Sequence, residues 1–373
     1  MTTSRPATIA DVAAAAGVGI GTVSRVLNGA PNVREATRDT VLAAMERLGY
    51  RPSHLAVALS RGTARTVALV APHLTSPSVV LRVAGALAVL GEQGYDTVIC
   101  SVETPEQRDH HLAALTGKRR ADGAMVVSLR LTAEQVEAFR RARLPLVTID
   151  VAVPGIPHTL VDDVAGGRLA TEYLLSLGHR RIGFIGDTMH GAPAAGRLRF
   201  GFVSSQRRLA GYRQALAAAG LDADPDLVRR GPHGPANAEA LACELLALPV
   251  PPTAVFATSD TQAIGVLAAA DRCGASVPGD LSVLGFDDIE SAALLGLSTV
   301  HQPLWDSGAE AARRLCALLR GERVLPVLQR LPLSVVARST TERPRSGRQP
   351  EGGNDARRAA MARLASGPAT GGQ

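Results

Sequence analysis

Cysteine is scarce. The 373-residue chain holds four, Cys100, Cys243, Cys273 and Cys316. They stand too far apart for a zinc-ligand pattern and read as small core residues in a reducing compartment. No stretch is apolar and long enough for a membrane-spanning helix. The N-terminus lacks a basic region followed by an apolar run, so no secretion signal is expected and a cytoplasmic protein is. Lysine is also rare: the 40 basic residues are almost all arginine. The nucleophile elbow GxSxG, a Walker loop and the zinc motif HExxH are all missing. Neither an enzyme nor a cofactor nor a metal site is expected. His179, in LGHRR between a helix end and a strand, then reads as structural.

What is present is a chain that is 46% hydrophobic with a formal net charge of +6. Its length suggests two or three domains and a large core, and its basic balance fits a polyanionic partner. The sharpest pattern is N-terminal. Thr8 followed by Asp11 makes a capping-box-like start, and Ile9, Val12, Ala13 and Ala16 recur at helical spacing. Gly17 breaks that helix. Gly19 opens a second over Ile20 to Leu27, with Val23, Val26 and Leu27 on its buried side, and Asn28 and Gly29 close it. A third runs near Arg34 to Leu48, with Val41, Leu42, Met45 and Leu48 as its apolar stripe.

Two short helices joined by a tight turn and backed by a third form the helix-turn-helix signature. A helix of this size fits the major groove, where each base pair displays a distinct pattern of donors and acceptors. Arg25 can reach a guanine edge or a phosphate. Thr22 and Ser24 are short enough to let the helix press against the backbone. Arg5, Arg34, Arg38, Arg47 and Arg51 add electrostatic grip. The other reading is a small helical domain that packs against protein. The segment YRPSHLAVALSRG follows. Pro52 and Ser53 can open a helix there, with Leu55, Ala56 and Leu59 on its apolar face, but it is too short to be helical unless something holds it.

From Arg65 the pattern changes. TVALVAP, YDTVIC, ADGAMVVS and PLVTID are near-continuous apolar strands separated by helical stretches, and the series restarts at RRIGFIGD, AVFATSD and LSVLGFDD. This is α/β patterning for parallel sheets flanked by helices. Two such units imply two lobes with a cleft at the carboxyl ends of their strands. Aspartates gather at those ends: Asp150, Asp162, Asp163, Asp260, Asp287 and Asp288. Carboxylates accept short hydrogen bonds from hydroxyls, and an arginine donates several. That chemistry suits a sugar- or nucleoside-like ligand, although each aspartate alone could equally cap a helix. After Thr341 the composition turns to Arg, Gly, Pro, Ser and Ala and reads as a disordered tail.

The head and the segment after it, TIADVAAAAGVGIGTVSRVLNG through YRPSHLAVALSRG, resemble the head domain of the lactose/galactose repressor family of bacterial transcription regulators. VDDVAGGRLATEYLLSLGHRRIGFIG, RLAGYRQALAAAG, PTAVFATSDTQAIGVLAAA, VPGDLSVLGFDDIESA, LSTVHQP and LPLSVVARST extend the resemblance to Thr340. It implies that the second helix reads the major groove, with Ile20, Gly21 and Arg25 at base-reading positions. Thr22, Ser24 and Asn28 fall at phosphate-contacting and helix-supporting positions, and Thr8 and Arg34 complete the candidate DNA contacts. It implies that the hinge helix folds in pairs in the minor groove, with Leu59 as the wedge between base pairs and Ala56 as the neighbouring contact.

In the core, the resemblance makes Arg208 the effector-binding arginine and Asp260 a carboxylate for ligand hydroxyls. Ser78 and Val79 fall near the cleft mouth, and Asp288 of the GFDD pair is a further candidate. Trp305, after the HQP motif, faces either the effector or the first-lobe core and dimer side. Four departures stand out. Gly19 replaces a serine cap. Gly21 has no side chain, so either the helix approaches DNA more closely or specificity shifts to Arg25 and Ile20. TSPSVV lacks the aromatic pair that relatives carry there, and Val57 stands where many of them have arginine.

The expected architecture is an N-terminal all-α helix-turn-helix domain on an α/β, two-lobed, periplasmic-binding-protein-like core. The divisions are a DNA-binding head at 1–50, a hinge helix and linker at 51–65, an effector-binding and dimerisation domain at 66–340, and the tail at 341–373. The tail lacks a leucine heptad pattern, so a homodimer on a pseudo-palindromic operator is expected. The expected function is a sequence-specific transcription regulator, a repressor, controlled by a sugar-like small-molecule effector and nucleoid-associated when bound to DNA. The alternatives are a core that responds to a partner protein, a solute-binding protein without regulatory role, and an architectural DNA protein.

Overall fold

The computed structural model describes residues 7–27, 30, 32–50, 64–117, 121–188, 203–325 and 327–345. Asn28, Ala56, Leu59, Arg5, Arg51, the hinge and the chain after residue 345 lie outside the described residues.

The head consists of α1 (Ile9–Ala16), α2 (Ile20–Leu27) and α3 (Glu35–Arg47). The capping box forms at the start of α1: Asp11 N–H donates to Thr8 Oγ1 at 3.4 Å and Thr8 N–H to Asp11 Oδ2 at 2.8 Å. Gly17 ends α1 in the left-handed region, φ 65°, where a side chain would clash with backbone. The axes of α1 and α2 then meet at 105°, within the range of a helix-turn-helix corner. Val12, Ala13, Val23, Val26, Val41 and Ala44 form the small core, backed by Ile9, Leu27 and Met45. Leu42 and Leu48, read from the sequence as part of the α3 stripe, are exposed. At 100° per residue, Val41, Ala44 and Met45 already fill the narrow face that α1 and α2 leave open, and Leu42 is turned away from it.

The rest is two lobes. The first contains β1 (Thr66–Pro72), α4 (Pro77–Glu92), β2 (Asp96–Val102), α5 (Pro105–Gly117), β3 (Gly123–Val127), α6 (Ala133–Arg141), β4 (Leu146–Ile149) and β5 (His158–Val161). The chain crosses over into α7 (Asp163–Ser176), β6 (Ile182–Asp187), α8 (Val203–Ala218), β7 (Val228–Gly231), α9 (Pro235–Leu246), β8 (Ala254–Ala257), α10 (Asp260–Arg272), β9 (Ser282–Asp287), α11 (Glu290–Leu294) and β10 (Ser298–His301). It then returns as α12 (Leu304–Leu319) and β11 (Leu328–Leu331) to the first lobe and ends with β12 (Ser334–Val336) in the second.

The first sheet has the order β11-β5-β4-β3-β1-β2 and is parallel throughout. The second has the order β12-β10-β9-β8-β6-β7, with only β12 antiparallel. The central strands are buried along their length because helices cover both faces. The edge strands are less covered, and on β2 Val98 and Ile99 are exposed.

Helix α12 packs on α4 at backbone distance. A Cβ on Gly85 would strike the Trp305 carbonyl, and one on Gly308 would strike that of Arg82. Trp305 itself is 43% exposed, so it does not fill the first-lobe core. Residues 341–345, assigned by composition to the tail, pack on the second lobe instead. The Thr341 hydroxyl meets those of Tyr173 and Ser298 at 2.8 Å, and the Glu342 carbonyl lies 2.9 Å from His179 Nε2. His179, 1% exposed and also bonded to Thr253 Oγ1, is part of that seam. No single described helix is long and apolar enough to cross a membrane.

Candidate functional site

Two places concentrate polar groups: the outer face of α2, and the space where the two sheets' carboxyl ends meet. On α2 the buried Val23 and Val26 fix which side faces out. Ile20 is 52% exposed, Gly21 and Arg25 are exposed, and Thr22 and Ser24 are partly so. Nothing lies within 4 Å of where a Gly21 Cβ would stand. Arg25 Nε donates back to the Gly21 carbonyl at 3.2 Å, which lays the guanidinium along the helix face. Arg34 is exposed before α3. Arg38 and Arg47 each spend a donor inside the head, on the carbonyls of Ala30 (2.9 Å) and Ala15 (3.2 Å). The structure thus brings Ile20, Gly21, Thr22, Ser24, Arg25 and Arg34 to the head's surface, while the Thr8 hydroxyl donates to Asp11.

The interlobe cluster is built on two buried arginines. Arg208, on α8, lies with its guanidinium carbon 3.5 Å from the Phe286 ring centroid. Its Nε donates to Asp163 Oδ1 at 3.1 Å and its Nη1 to the Thr258 carbonyl at 2.6 Å, with Asp287 Oδ1 3.9 Å away. Arg82, on α4, donates to Asp150 Oδ1 at 3.0 Å, to Gln302 Oε1 at 3.2 Å and to the Ser78 carbonyl at 3.1 Å. Gln302, in the return crossover between β10 and α12, donates in turn to Asp287. Ser128 donates to Asp150 at 2.7 Å. A hydrogen-bonded line therefore joins the strand ends of the first lobe to those of the second. At its far side, Asp187 Oδ1 lies 3.0 Å from both Gln262 Nε2 and His233 Nδ1.

Electrostatics follow from this crowding. Burial pushes the Asp287 carboxyl up to about 7, with the nearby Asp260 charge adding to the rise and Arg208 and Arg82 opposing it. Burial likewise raises Asp163 against the pull of Arg208. Burial works to lower His233, but the hydrogen bond and charge of Asp187 outweigh it and the group is raised. Asp150, Asp287 and Asp288 all hold positive φ, at 65°, 127° and 61°. Such backbone costs roughly 1–3 kcal/mol per residue and gathers at functional sites.

The candidates read from the sequence separate here. Arg208 is central. Val79 is 1% exposed and packs into the first-lobe core, because the first turn of α4 turns it towards β1 and away from the other lobe. Ser78 stays partly exposed at the start of α4, its hydroxyl 3.3 Å from that of Ser76. Asp260 is fully buried behind the cluster: Oδ2 accepts the Ile289 N–H at 2.9 Å and Oδ1 the Thr299 hydroxyl at 2.6 Å, and burial raises its carboxyl. Asp288 pairs with Arg338 at 2.6 Å and His301 at 3.0 Å. Asp162 caps α7 through the Ala165 N–H and pairs with Arg330. Arg82, Gln302, Gln262 and His233 were not singled out in the sequence. Arg82 left one signal, a charge set in the otherwise apolar stripe Val79, Val83, Ala86 and Leu90 of α4.

Residues 8–53 match the family described as bacterial regulatory proteins, lacI family, and residues 171–341 match a periplasmic binding protein-like domain. The HTH-type transcriptional regulator CelR of Thermobifida fusca is 33% identical over 334 residues, covering 87% of this chain and 95% of that protein. The chain belongs to the lacI family of bacterial regulatory proteins. A solved lac repressor dimer, bound to operator and the anti-inducer ONPF, superposes with a TM-score of 0.77 at 28% identity, covering 91% of this chain and all of that one. A complex of the regulator CelR with cellobiose gives 0.64 at 33% identity, covering 90% and 99%. The regulator's two α/β lobes and helical head are thus those of a DNA-binding transcription regulator with an effector-binding core, as the residues of both parts had led us to expect.

Proposed function

We propose that the protein is a homodimeric, cytoplasmic repressor that binds a pseudo-palindromic operator and is controlled by a small polyhydroxylated effector held between its lobes. The observation that carries this reading is the pairing, in one chain, of an open polar α2 face with a buried line of carboxylates and arginines joining two lobes. Ile20, Gly21 and Arg25 read base edges. Thr22, Ser24, Asn28 and Arg34 meet phosphates, and Thr8 holds the start of α1. Leu59 and Ala56 enter the minor groove. Effector hydroxyls meet Arg208, Asp287, Asp187 and Asp150, with Ser78 at the mouth and Asp260 bracing β9 and β10 from behind. Effector and operator then bias the same lobe arrangement, so each changes the other's affinity by one common factor.

The complex of CelR with cellobiose and the lac repressor dimer bound to operator support the ligand and DNA halves of this reading. The test is binding-site selection with the full-length protein, followed by a screen of neutral sugars and nucleosides for release of the selected duplex. Enrichment of a two-fold symmetric site, and release by one ligand class, is the expected outcome. No preference for a symmetric duplex over random DNA under any ligand condition overturns it.

A further inference from the structure

Two of the four cysteines meet. Cys243 lies on α9 and Cys273 follows the last residue of α10, and their sulfurs stand 3.8 Å apart although the residues are 30 positions apart in the chain. This is van der Waals contact between thiols. Both are partly exposed, whereas Cys316 is buried.

The helices that carry them run side by side in the same direction. Gly265 of α10 lies so close to the Pro235 carbonyl of α9 that no Cβ would fit between them. Arg272 pairs with Glu239 further along, and eight residues beyond Pro235 and Gly265 come the two cysteines, about 12 Å along each helix. Cys273 N–H donates to the Ala269 carbonyl at 2.9 Å, and the Cys243 carbonyl accepts the Ala247 N–H at 3.0 Å. Each cysteine's backbone is therefore held within its own helix, and the two sulfurs have to close from 3.8 Å to the ~2.05 Å of a disulfide.

We propose that Cys243 and Cys273 form a reversible oxidation site that closes to an intrachain disulfide on exposure to hydrogen peroxide. Burial, with Cys273 adding to it, pushes the Cys243 thiol up to about 11. One sulfur of the pair, as thiolate, attacks the peroxide O–O bond, keeps one oxygen as sulfenic acid and releases the other, which takes up the proton that the thiol lost and leaves as water. The second thiol then attacks the sulfenic sulfur, and the hydroxyl departs with that thiol's proton as a second water. Two thiols are oxidised and one peroxide is reduced. The cross-link fixes the spacing of α9 and α10. At their starting ends lie His233, just before the Gly234 cap of α9, and Gln262 in the first turn of α10, whose side chains both meet Asp187.

Full-length protein treated with hydrogen peroxide, alkylated and digested without reduction should yield one linked pair of peptides containing Cys243 and Cys273, lighter by two hydrogens than their sum. The oxidised protein should melt about 5–10 °C higher, as a loop of this size allows. Dithiothreitol should reverse the shift, and amide exchange in α9 and α10 should slow. Cys273→Ser should abolish the link and the shift; Cys100→Ser should keep both. Peptide mapping of the unsubstituted protein needs no variant to fold. The proposal is overturned if the two peptides stay separate, if either cysteine goes on to sulfinic acid, or if the bond joins Cys100, Cys316 or a second chain.

Discussion

At the scale of single residues, Gly21 and Asp287 sit in opposite situations. Gly21 stands in a helix with open space where its Cβ would be, so Gly21→Ala should stabilise the head by roughly 0.5–1 kcal/mol. The same methyl would stand on the exposed face of α2. Binding-site selection should therefore return an altered operator preference, while thermal melting of the variant is unchanged or higher. Asp287 is instead enclosed. A carboxyl held near 7 in the fold and near ~3.9 in the unfolded chain binds its proton more tightly when folded. Its contribution to stability is complete below about pH 4 and is lost as pH rises through 7. Asp287→Asn keeps the shape and has no such proton. The stability of the unsubstituted protein relative to this variant should fall by on the order of 1–3 kcal/mol between about pH 5 and pH 8, measured by urea unfolding. The strand-end aspartates were legible in the sequence because they break apolar runs. Their division of labour was not. Asp260 comes soon after an apolar strand, as Asp287 ends one, yet a Thr299 hydroxyl and the Ile289 N–H draw its carboxylate inward.

At the scale of elements, glycines decide how closely helices approach. Gly308 on α12 faces the Arg82 carbonyl with no room for a Cβ, while Gly91 on α4 faces nothing within 4 Å. Gly308→Ala must push α12 off α4 and should cost about 2 kcal/mol or more. Gly91→Ala should be neutral or stabilising by about 0.5 kcal/mol. Urea unfolding of the two variants under one condition separates close packing from helix propensity. Equal effects would show that the α4–α12 contact relaxes freely. Helix and strand positions were legible from period and from stops such as Gly17. The return of α12 to the first lobe was not, because α12 is amphipathic in the same way whichever sheet it covers. Arg82 was hidden for the same reason: the partners that make it polar machinery, Asp150 and Gln302, lie 68 and 220 positions away.

At the scale of the whole molecule, four of the exposed apolar residues lie on two elements that touch in the first lobe: Val80 and Leu87 on α4, and Val98 and Ile99 on edge strand β2, stand 38–53% exposed. An exposed edge strand bearing apolar side chains invites pairing unless something covers it. The second copy required by the proposed dimer is a natural cover, since a two-fold contact buries the same patch from both chains. Ile99→Asp puts two like charges into such a contact and should leave the monomer folded, because the residue is already 41% exposed. Sedimentation should show monomers where the unsubstituted protein is dimeric. Operator affinity should fall at least about tenfold, because two heads no longer bind as one unit. The dependence of log K on log salt should flatten to roughly half its slope, since one head neutralises about half as many phosphates. An unchanged slope with unchanged sedimentation would place the dimer contact elsewhere on the molecule.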